Sequence, residues 1–263
     1  MDFRVASTQH ATAFVPVNPA ADAYAKAHAN AAACSRCHVR EICLPPGLSA
    51  SEFQQIDQRL VSSRRKLARG EKLFQIGDRF DAVYAVYTGF FKTAVSSKDG
   101  REQVTGFQMV GELLGLDGIG SRRHEVDAVA LEDSQVCAIP YANFEALSKE
   151  IPALQHQFHR VMSREIVRNQ RVMLLLGSMH AEERLAAFVL NLTRQLQARG
   201  FSATAIMLRM SREEIGSFLG LKLETVSRTF SKFQANGLLH VRHRQIQVTD
   251  AQGLQHLLDG ETV

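Results

Sequence analysis

The sequence contains no tryptophan, six prolines and only four cysteines among 263 residues. It also lacks any run approaching ~18 consecutive apolar residues, so no membrane-spanning helix is predicted. Its start, MDFRVASTQH, lacks the basic segment and apolar block of a secretory signal. These absences favour a cytoplasmic protein with no membrane partner. In a reducing cytosol, clustered cysteines bind metals or take part in redox chemistry more often than they form structural disulfides.

A strong excess of one charge is also missing from the chain as a whole. It has 31 Lys and Arg, 27 Asp and Glu, and a net charge of +4. The excess is concentrated near the C-terminus, because residues 208–249 hold seven Lys or Arg and three Glu. A basic module of this kind indicates a nucleic acid partner.

The four cysteines raise the question of a metal site. Cys34, Cys37 and Cys43 lie within the ten residues 34–43, and Cys137 lies far along the chain. A C-x2-C turn lets two sulfurs face one centre, and four cysteines suffice for a tetrahedral zinc site or a [4Fe–4S] cluster. The residues alone favour these two equally. A thiol oxidoreductase is disfavoured, because an Ala-rich segment rather than a strand precedes Cys34 and no catalytic base is recognisable beside the cysteines.

Periodicity divides the rest of the chain. Ser49 and Glu52 form a capping-box pattern at the start of a short helix. Short β-favouring runs such as AVYAVYTGFFKTAV, separated by glycines, then predict an antiparallel roll, with a hairpin tip at Asp99-Gly100. A long helix follows, with a restart after Pro152. The predicted divisions are an Ala-rich flexible tail at 1–33, the cysteine segment and short helix at 34–60, the roll at 61–142, a dimerisation helix at 143–177, a DNA-binding domain at 178–252 and a tail at 253–263.

Residues 210–239, MSREEIGSFLGLKLETVSRTFSKFQANGLL, predict two helices joined by a tight turn at Gly220. Ser211 and Glu214 form a capping box at the first helix. The second helix runs from about Leu223 to Ala235. Its inward face carries Val226, Phe230 and Phe233, and its outward face carries the predicted DNA-reading residues Glu224, Thr225, Ser227, Arg228 and Lys232.

This arrangement is typical of a helix-turn-helix, whose second helix enters the major groove of DNA. Arg228 can form a bidentate bond with guanine, and Glu224 can accept from cytosine. The following stretch, LLHVRHRQIQV, alternates apolar and basic residues and predicts a two-stranded wing.

The long helix carries an apolar heptad track that Glu165 and Arg168 interrupt. A helix of this length with such a track packs on a partner helix, which predicts a homodimer. The alternative is a helix packed on its own domain. The predicted interface residues are Ile151, Leu154, Phe158, Val161, Glu165, Asn169 and Val172.

From about Cys34 to Leu258 the chain resembles the CRP–FNR family of transcription regulators. RGEKLFQIGDRFDAVYAVYTGFFK and GREQVTGFQMVGELLG resemble the family's β-roll, and LETVSRTFSKFQANGLL resembles its DNA-binding domain. The resemblance implies an α+β fold: an N-terminal antiparallel β-roll like a cyclic-nucleotide-binding domain, a long dimerisation helix and a C-terminal winged helix-turn-helix.

The cysteine spacing, C-x2-C-x5-C with a fourth cysteine near the end of the roll, resembles the FNR branch of the family. The resemblance implies that Cys34, Cys37, Cys43 and Cys137 bind a [4Fe–4S] cluster, which oxygen converts to [2Fe–2S] and then removes. It also implies a non-enzymatic, oxygen-responsive global regulator of anaerobic metabolism. Its cluster-bearing homodimer would bind double-stranded DNA with TTGAT and ATCAA half-sites, activate or repress genes, and contact RNA polymerase. Asn169 stands where some relatives carry an aspartate that keeps the cluster-free form monomeric.

The family's other branch binds cyclic nucleotides through an Arg-Ser pair that follows a Gly-Glu-Leu. Here Gly111-Glu112-Leu113 is present, but His124-Glu125 fills the Arg-Ser place. Glu125 and Asp127 would repel a phosphate, so cyclic-nucleotide binding is not expected. The alternative function is a CRP-like regulator that senses another small molecule and carries a structural zinc at its cysteines.

Overall fold

The N-terminal roll consists of two four-stranded antiparallel sheets. The computed structural model describes residues 33–96, 100, 102–202 and 204–259. One sheet has the order β1-β8-β3-β6 and the other β2-β7-β4-β5. The predicted roll is therefore confirmed; residues 97–99, within the predicted hairpin tip, lie outside the described residues. The strands are β1 Ser63–Leu67, β2 Lys72–Phe74, β3 Ala82–Thr88, β4 Phe90–Ser96, β5 Glu102–Met109, β6 Leu113–Leu114, β7 Asp127–Ala130 and β8 Ser134–Pro140.

Alternating apolar residues on these strands close the roll, because successive side chains of a strand point to opposite faces. One set fills the space between the two sheets and includes the fully buried Val86, Phe91 and Val136. The other set covers the outer face of the first sheet and forms a second core with the cysteine segment.

The cysteine segment consists of a 3-10 turn at Cys34–Arg36 and the short helix α1 at Arg40–Cys43. Helix α2, Ala50–Arg59, follows and begins with the predicted capping box of Ser49 and Glu52. Its Ile56 is fully buried against the roll. Residues 1–32, most of the predicted flexible tail, lie outside the described residues.

Helix α3, Gly118–Ser121, lies within the roll, and two helices then leave it: α4, Tyr141–Glu150, and the long α5, Pro152–Ser178. Proline suits the first position of a helix, which confirms the predicted restart after Pro152. Ile151 and Leu154 are only 1% and 4% exposed and pack into the core beneath the roll. Their assignment to a dimer interface is therefore wrong, because their own chain buries them.

The C-terminal domain is a winged helix-turn-helix, as predicted. Its elements are α6 Ala181–Gln197, β9 Ala205–Met207, α7 Arg212–Leu219, α8 Leu223–Ala235, β10 Leu239–Arg242, β11 Gln245–Val248 and α9 Ala251–Leu258. The strands form one sheet in the order β10-β11-β9. The predicted tail at 253–263 is wrong as far as residue 258, because α9 packs on α6 and buries Leu254.

The roll and the DNA-binding domain share a core. Phe107 on β5 packs against Phe188 and Phe218, with ring centroids 6.1 and 5.2 Å away. The backbone N–H of Val104 donates to Ser217 Oγ at 2.8 Å, and Lys92 pairs with Glu214 at 3.1 Å. The first helix of the helix-turn-helix is thus fixed on the roll. No helix among the described residues is long and apolar enough to cross a membrane.

Candidate cysteine site and DNA-reading surface

All four cysteines line one cavity of about 70 Å³ between the cysteine segment, the first sheet of the roll and the start of α5. Its other walls are largely apolar and include Tyr87, Leu113 and Phe158. Within the described part of the chain, no three His, Cys, Asp or Glu side chains lie in positions from which they could bind one metal ion together. The fold thus brings the distant Cys137 to the other three around a shared space.

Each cysteine is positioned by local structure. The N–H of Cys37 donates to the Cys34 carbonyl at 3.1 Å, which closes the C-x2-C turn. Cys43 ends α1 and donates its N–H to the Val39 carbonyl at 3.1 Å. Cys137 lies on β8, between Arg64 of β1 and Ala85 of β3. Three cysteines therefore sit on a short irregular segment and the fourth on a rigid strand.

Burial and the neighbouring cysteines hold the thiols of Cys34 and Cys43 in the protonated form. Burial, with smaller contributions from the nearby Cys137 and Asp57, raises the pKa of Cys34 to about 12. Burial also raises the pKa of Cys43 to about 12, with added effects of Cys37 and Cys137. Thiolates are the metal-binding form of cysteine, so ligand binding here must release protons and supply positive charge.

Asp57 on α2 anchors the cysteine segment. Its Oδ1 accepts from the backbone N–H of Ser35 at 2.9 Å, and its Oδ2 accepts from the Ser35 hydroxyl. Arg40 donates to the Ser35 carbonyl at 2.8 Å, and the ring of His38 packs edge-on against Tyr87. Sequence reasoning missed Asp57, because only the packing of α2 brings it to the C-x2-C turn.

The predicted DNA-reading surface is the outer face of α8. Val226, Phe230 and Phe233 are buried, as predicted, while Glu224, Ser227, Arg228 and Lys232 are exposed. Thr225 is half-buried, and its carbonyl accepts from the Thr229 hydroxyl at 2.8 Å. Lys232 pairs with Glu182 of α6 at 2.6 Å, a contact that the sequence did not predict. The residues predicted to read bases thus share one solvent-facing side.

Two arginines that sequence reasoning missed hold this surface in place. Arg184 donates to the carbonyls of Leu176 at 2.9 Å and Leu219 at 3.0 Å, which ties the end of α5 to the end of α7. The guanidinium carbon of Arg212 lies 3.6 Å from the Phe230 ring centroid. Burial lowers the pKa of Arg212 to about 10, so it stays charged at neutral pH.

The heptad track of α5 faces its own chain. Arg168 donates to the Phe107 carbonyl and lies 3.7 Å from carboxylates of both Glu112 and Glu165. Burial raises the pKa of Glu165. Val172 packs against the core of the DNA-binding domain, and Phe158 against Phe144. The track therefore packs intramolecularly, and of the predicted interface residues only Asn169 is exposed.

A different face of α5 is open. Four large apolar side chains there are strongly exposed: Ile166 by 56%, Val167 by 41%, Met173 by 64% and Leu174 by 60%. We call these four residues the outer stripe of α5. Glu165 does not belong to this stripe, because its carboxylate lies 3.7 Å from Arg168 in the intrachain contact.

Aromatic packing occupies the part of the roll where the sequence resemblance would place the Arg-Ser pair of the cyclic-nucleotide branch. The ring of His124 is buried and stacks on Phe74 with centroids 3.7 Å apart. Asp127 pairs with Lys72 at 2.6 Å, and this pairing helps lower the pKa of the Asp127 carboxyl against the opposing effect of burial. Glu112, which follows Gly111, pairs with Arg199 at 2.8 Å.

A ligand-binding-type roll, a long helix and a winged helix-turn-helix in this order define a DNA-binding transcription regulator rather than an enzyme. The sequence matches family models for a cyclic nucleotide-binding domain over residues 64–150 and a Crp-like helix-turn-helix domain over residues 183–257. The chain belongs to the CRP–FNR family, in its FNR branch.

Several known proteins are similar over most of their length. The transcriptional regulatory protein btr of Bordetella pertussis is 45% identical, covering 89% of this chain and 96% of the relative. The transcriptional activator protein anr of Pseudomonas aeruginosa is 43% identical, with coverages of 87% and 93%. The fumarate and nitrate reduction regulatory protein of Salmonella typhimurium is 40% identical, with coverages of 85% and 89%. The structure of FixK2 from Bradyrhizobium japonicum matches with a TM-score of 0.70 and 31% identity, covering 75% of this chain and 98% of that one.

Proposed function

We propose that the protein is an oxygen-responsive cytoplasmic regulator of anaerobic metabolism that binds DNA as a homodimer when its cysteines hold a [4Fe–4S] cluster. The observation that carries the proposal is the single cavity lined by Cys34, Cys37, Cys43 and Cys137, in a chain with an exposed recognition helix. The name of the Salmonella relative, which refers to fumarate and nitrate reduction, supports the anaerobic role.

The donor set fits the cluster. Four thiols surround the cavity, which is otherwise largely apolar, and an iron–sulfur cluster of this type takes four cysteine ligands. When bound, the cluster supplies sensitivity to dioxygen. The chain itself contributes the fixed position of Cys137 on β8 and the anchoring of Ser35 by Asp57. Binding all four thiolates would hold residues 34–46 against the roll and α5.

The outer stripe of α5 supports the homodimer. An exposed apolar stripe on a long helix is the surface that a second identical helix covers. A parallel pair of α5 helices places two recognition helices about one turn of DNA, ~34 Å, apart. Arg228 would read the guanine of a TTGAT half-site and Glu224 the cytosine opposite. Bound in this way, the protein would activate or repress genes through contact with RNA polymerase.

The roll supports a sensor that does not use a cyclic nucleotide. Its His124 is buried and stacks on Phe74, so the ring is not exposed to a sugar or a phosphate, and the carboxylate of Glu112 is already paired with Arg199. The same features are compatible with the second candidate, a regulator with structural zinc at the cysteines.

One experiment separates these candidates. The protein is purified without oxygen, and its visible spectrum, iron, sulfide and zinc contents are measured beside its binding to a TTGAT–ATCAA duplex. We expect a brown protein with four iron and four sulfide per chain, whose DNA binding falls in air. A colourless protein with one zinc per chain and air-stable DNA binding would establish the zinc alternative.

A further inference from the structure

Arg64 is a cation beside the cysteine cavity that is not one of the four ligands. It lies on β1 directly opposite Cys137 on β8. Residues that pair in this way on antiparallel strands have neighbouring side chains. Its guanidinium carbon lies 3.9 Å from the centroid of Tyr87, a residue that itself lines the cavity. The charge is therefore held at the wall of the site by an aromatic ring.

The Nε of Arg64 is buried and has no hydrogen-bond partner among the described residues. A buried N–H without a partner costs free energy, and such a donor persists where a ligand or water completes it. Arg64 thus has both the position and the spare donor to serve a negatively charged sulfur site.

We propose that Arg64 is the counter-charge of the cysteine site, and that its guanidinium slows the oxidative loss of the iron–sulfur cluster in air. This inference rests on the proposed function. Transfer of one electron from the site to dioxygen, which becomes superoxide, removes one negative charge from the thiolate-bound assembly. A fixed cation attracts the more negative, reduced form more strongly, so it makes this electron transfer less favourable.

Two other arginines near the site, Arg199 and Arg65, are either hydrogen-bonded to other groups or exposed to solvent. Arg199 also lies near Cys43, but its guanidinium already donates to the Val110 carbonyl at 2.7 Å, the Gln195 carbonyl at 2.8 Å and the Glu112 carboxylate at 2.8 Å. Arg65, next to Arg64 on the same strand, is exposed and donates to the Leu73 carbonyl at 3.5 Å. Arg65 is therefore a matched control for charge removal.

The test compares the full-length wild type with Arg64→Gln, Arg64→Lys and Arg65→Gln, each purified and reconstituted with iron and sulfide without oxygen. Each sample is exposed to air-saturated buffer, and cluster loss is followed by visible absorbance and by protein-bound iron and sulfide. The melting temperature of each cluster-free protein reports separately on folding.

We expect Arg64→Gln to lose the cluster about tenfold faster than wild type. Arg64→Lys keeps the charge and should lie close to wild type, and Arg65→Gln should match wild type. Equal rates in wild type and Arg64→Gln would overturn the inference, as would equal acceleration by all three variants. A wild type that takes up no iron would overturn the proposed function, and the inference with it.

Discussion

Cys137 differs from the other three cysteines because a strand, rather than a short irregular segment, carries it. We predict that Cys137→Ala abolishes cluster binding and anaerobic DNA binding, since no fifth cysteine is available. Alanine avoids placing a hydroxyl at a buried position, which would cost about 1–3 kcal/mol. The measurement is iron and sulfide content after anaerobic reconstitution, with melting temperature as the control for folding. A Cys137→Ala protein with the full iron content would show that Cys137 is not one of the cluster ligands.

Arg228 is the single residue predicted to recognise the guanine of each half-site. Arg228→Ala should cost about 1–3 kcal/mol per half-site and relax preference at the guanine position, because a bidentate contact is lost. Lys232→Ala is the contrast. Lys232 is exposed and pairs with Glu182, and we expect it to contact a DNA phosphate rather than a base. Its loss should therefore weaken binding to all sequences alike and reduce the salt dependence of binding by about one counterion. Competition binding with single-base variants of the duplex measures both effects. Unchanged base preference in Arg228→Ala would show that another residue reads the guanine.

The residues of the recognition helix could be predicted because their signals are local. The spacing of Val226, Phe230 and Phe233 fixes the inward face of α8, and the outward face follows from it. The convergence of the cysteines could not be derived in this way. It depends on the β1–β8 register, which places Cys137 beside Arg64, and on the packing of α2, which brings Asp57 to Ser35.

At the scale of elements, α5 shows how periodicity can predict a helix and still mislead about its partner. The helix has two apolar stripes. The more regular one, which includes Val161 and Val172, was predicted to meet a second chain but packs against its own. Sequence spacing does not say which stripe the rest of the chain covers, because the covering residues come from distant strands and helices.

The outer stripe gives a prediction that separates the two faces. Ile166→Glu should prevent dimer formation by the cluster-bearing protein, because two facing carboxylates would be buried on an apolar surface. Glu165→Gln, one residue away on the inner face, should leave the oligomeric state unchanged. Anaerobic sedimentation velocity at micromolar concentration measures both variants. If Ile166→Glu stayed dimeric and Glu165→Gln became monomeric, the dimer interface would lie on the inner face of α5 instead.

At the scale of the whole molecule, Glu112 joins three parts of the chain. Its carboxylate accepts from the Met109 N–H at 3.0 Å, pairs with Arg199 near the end of α6 at 2.8 Å and lies 3.7 Å from Arg168 of α5. A side chain at the preceding Gly111 would collide with Ile42, the neighbour of Cys43. The Gly-Glu-Leu motif was visible in the sequence, but its arginine partners were not, because they come from elements far along the chain.

We predict that Glu112→Gln weakens communication between the cysteine site and DNA. Cluster content should stay at the wild-type value, while the ratio of DNA affinities without and with air should fall about tenfold, within the range of measured allosteric couplings. The control is Glu150→Gln, which breaks the exposed pair between Glu150 and Arg59 at 2.6 Å. DNA titrations of matched anaerobic and air-exposed samples give the ratio. An unchanged ratio in Glu112→Gln would exclude this junction from the coupling.

The exposed outer stripe of α5 also has a consequence for gene dosage. A palindrome that only a dimer occupies fills in proportion to the square of the protein concentration while monomers predominate and most sites are empty, so doubling expression then raises occupancy about fourfold. A cell could then set the oxygen level at which its target genes respond by changing how much of this regulator it makes. Promoters with weaker half-sites, whose occupancy stays furthest from saturation, would respond most strongly to such a change.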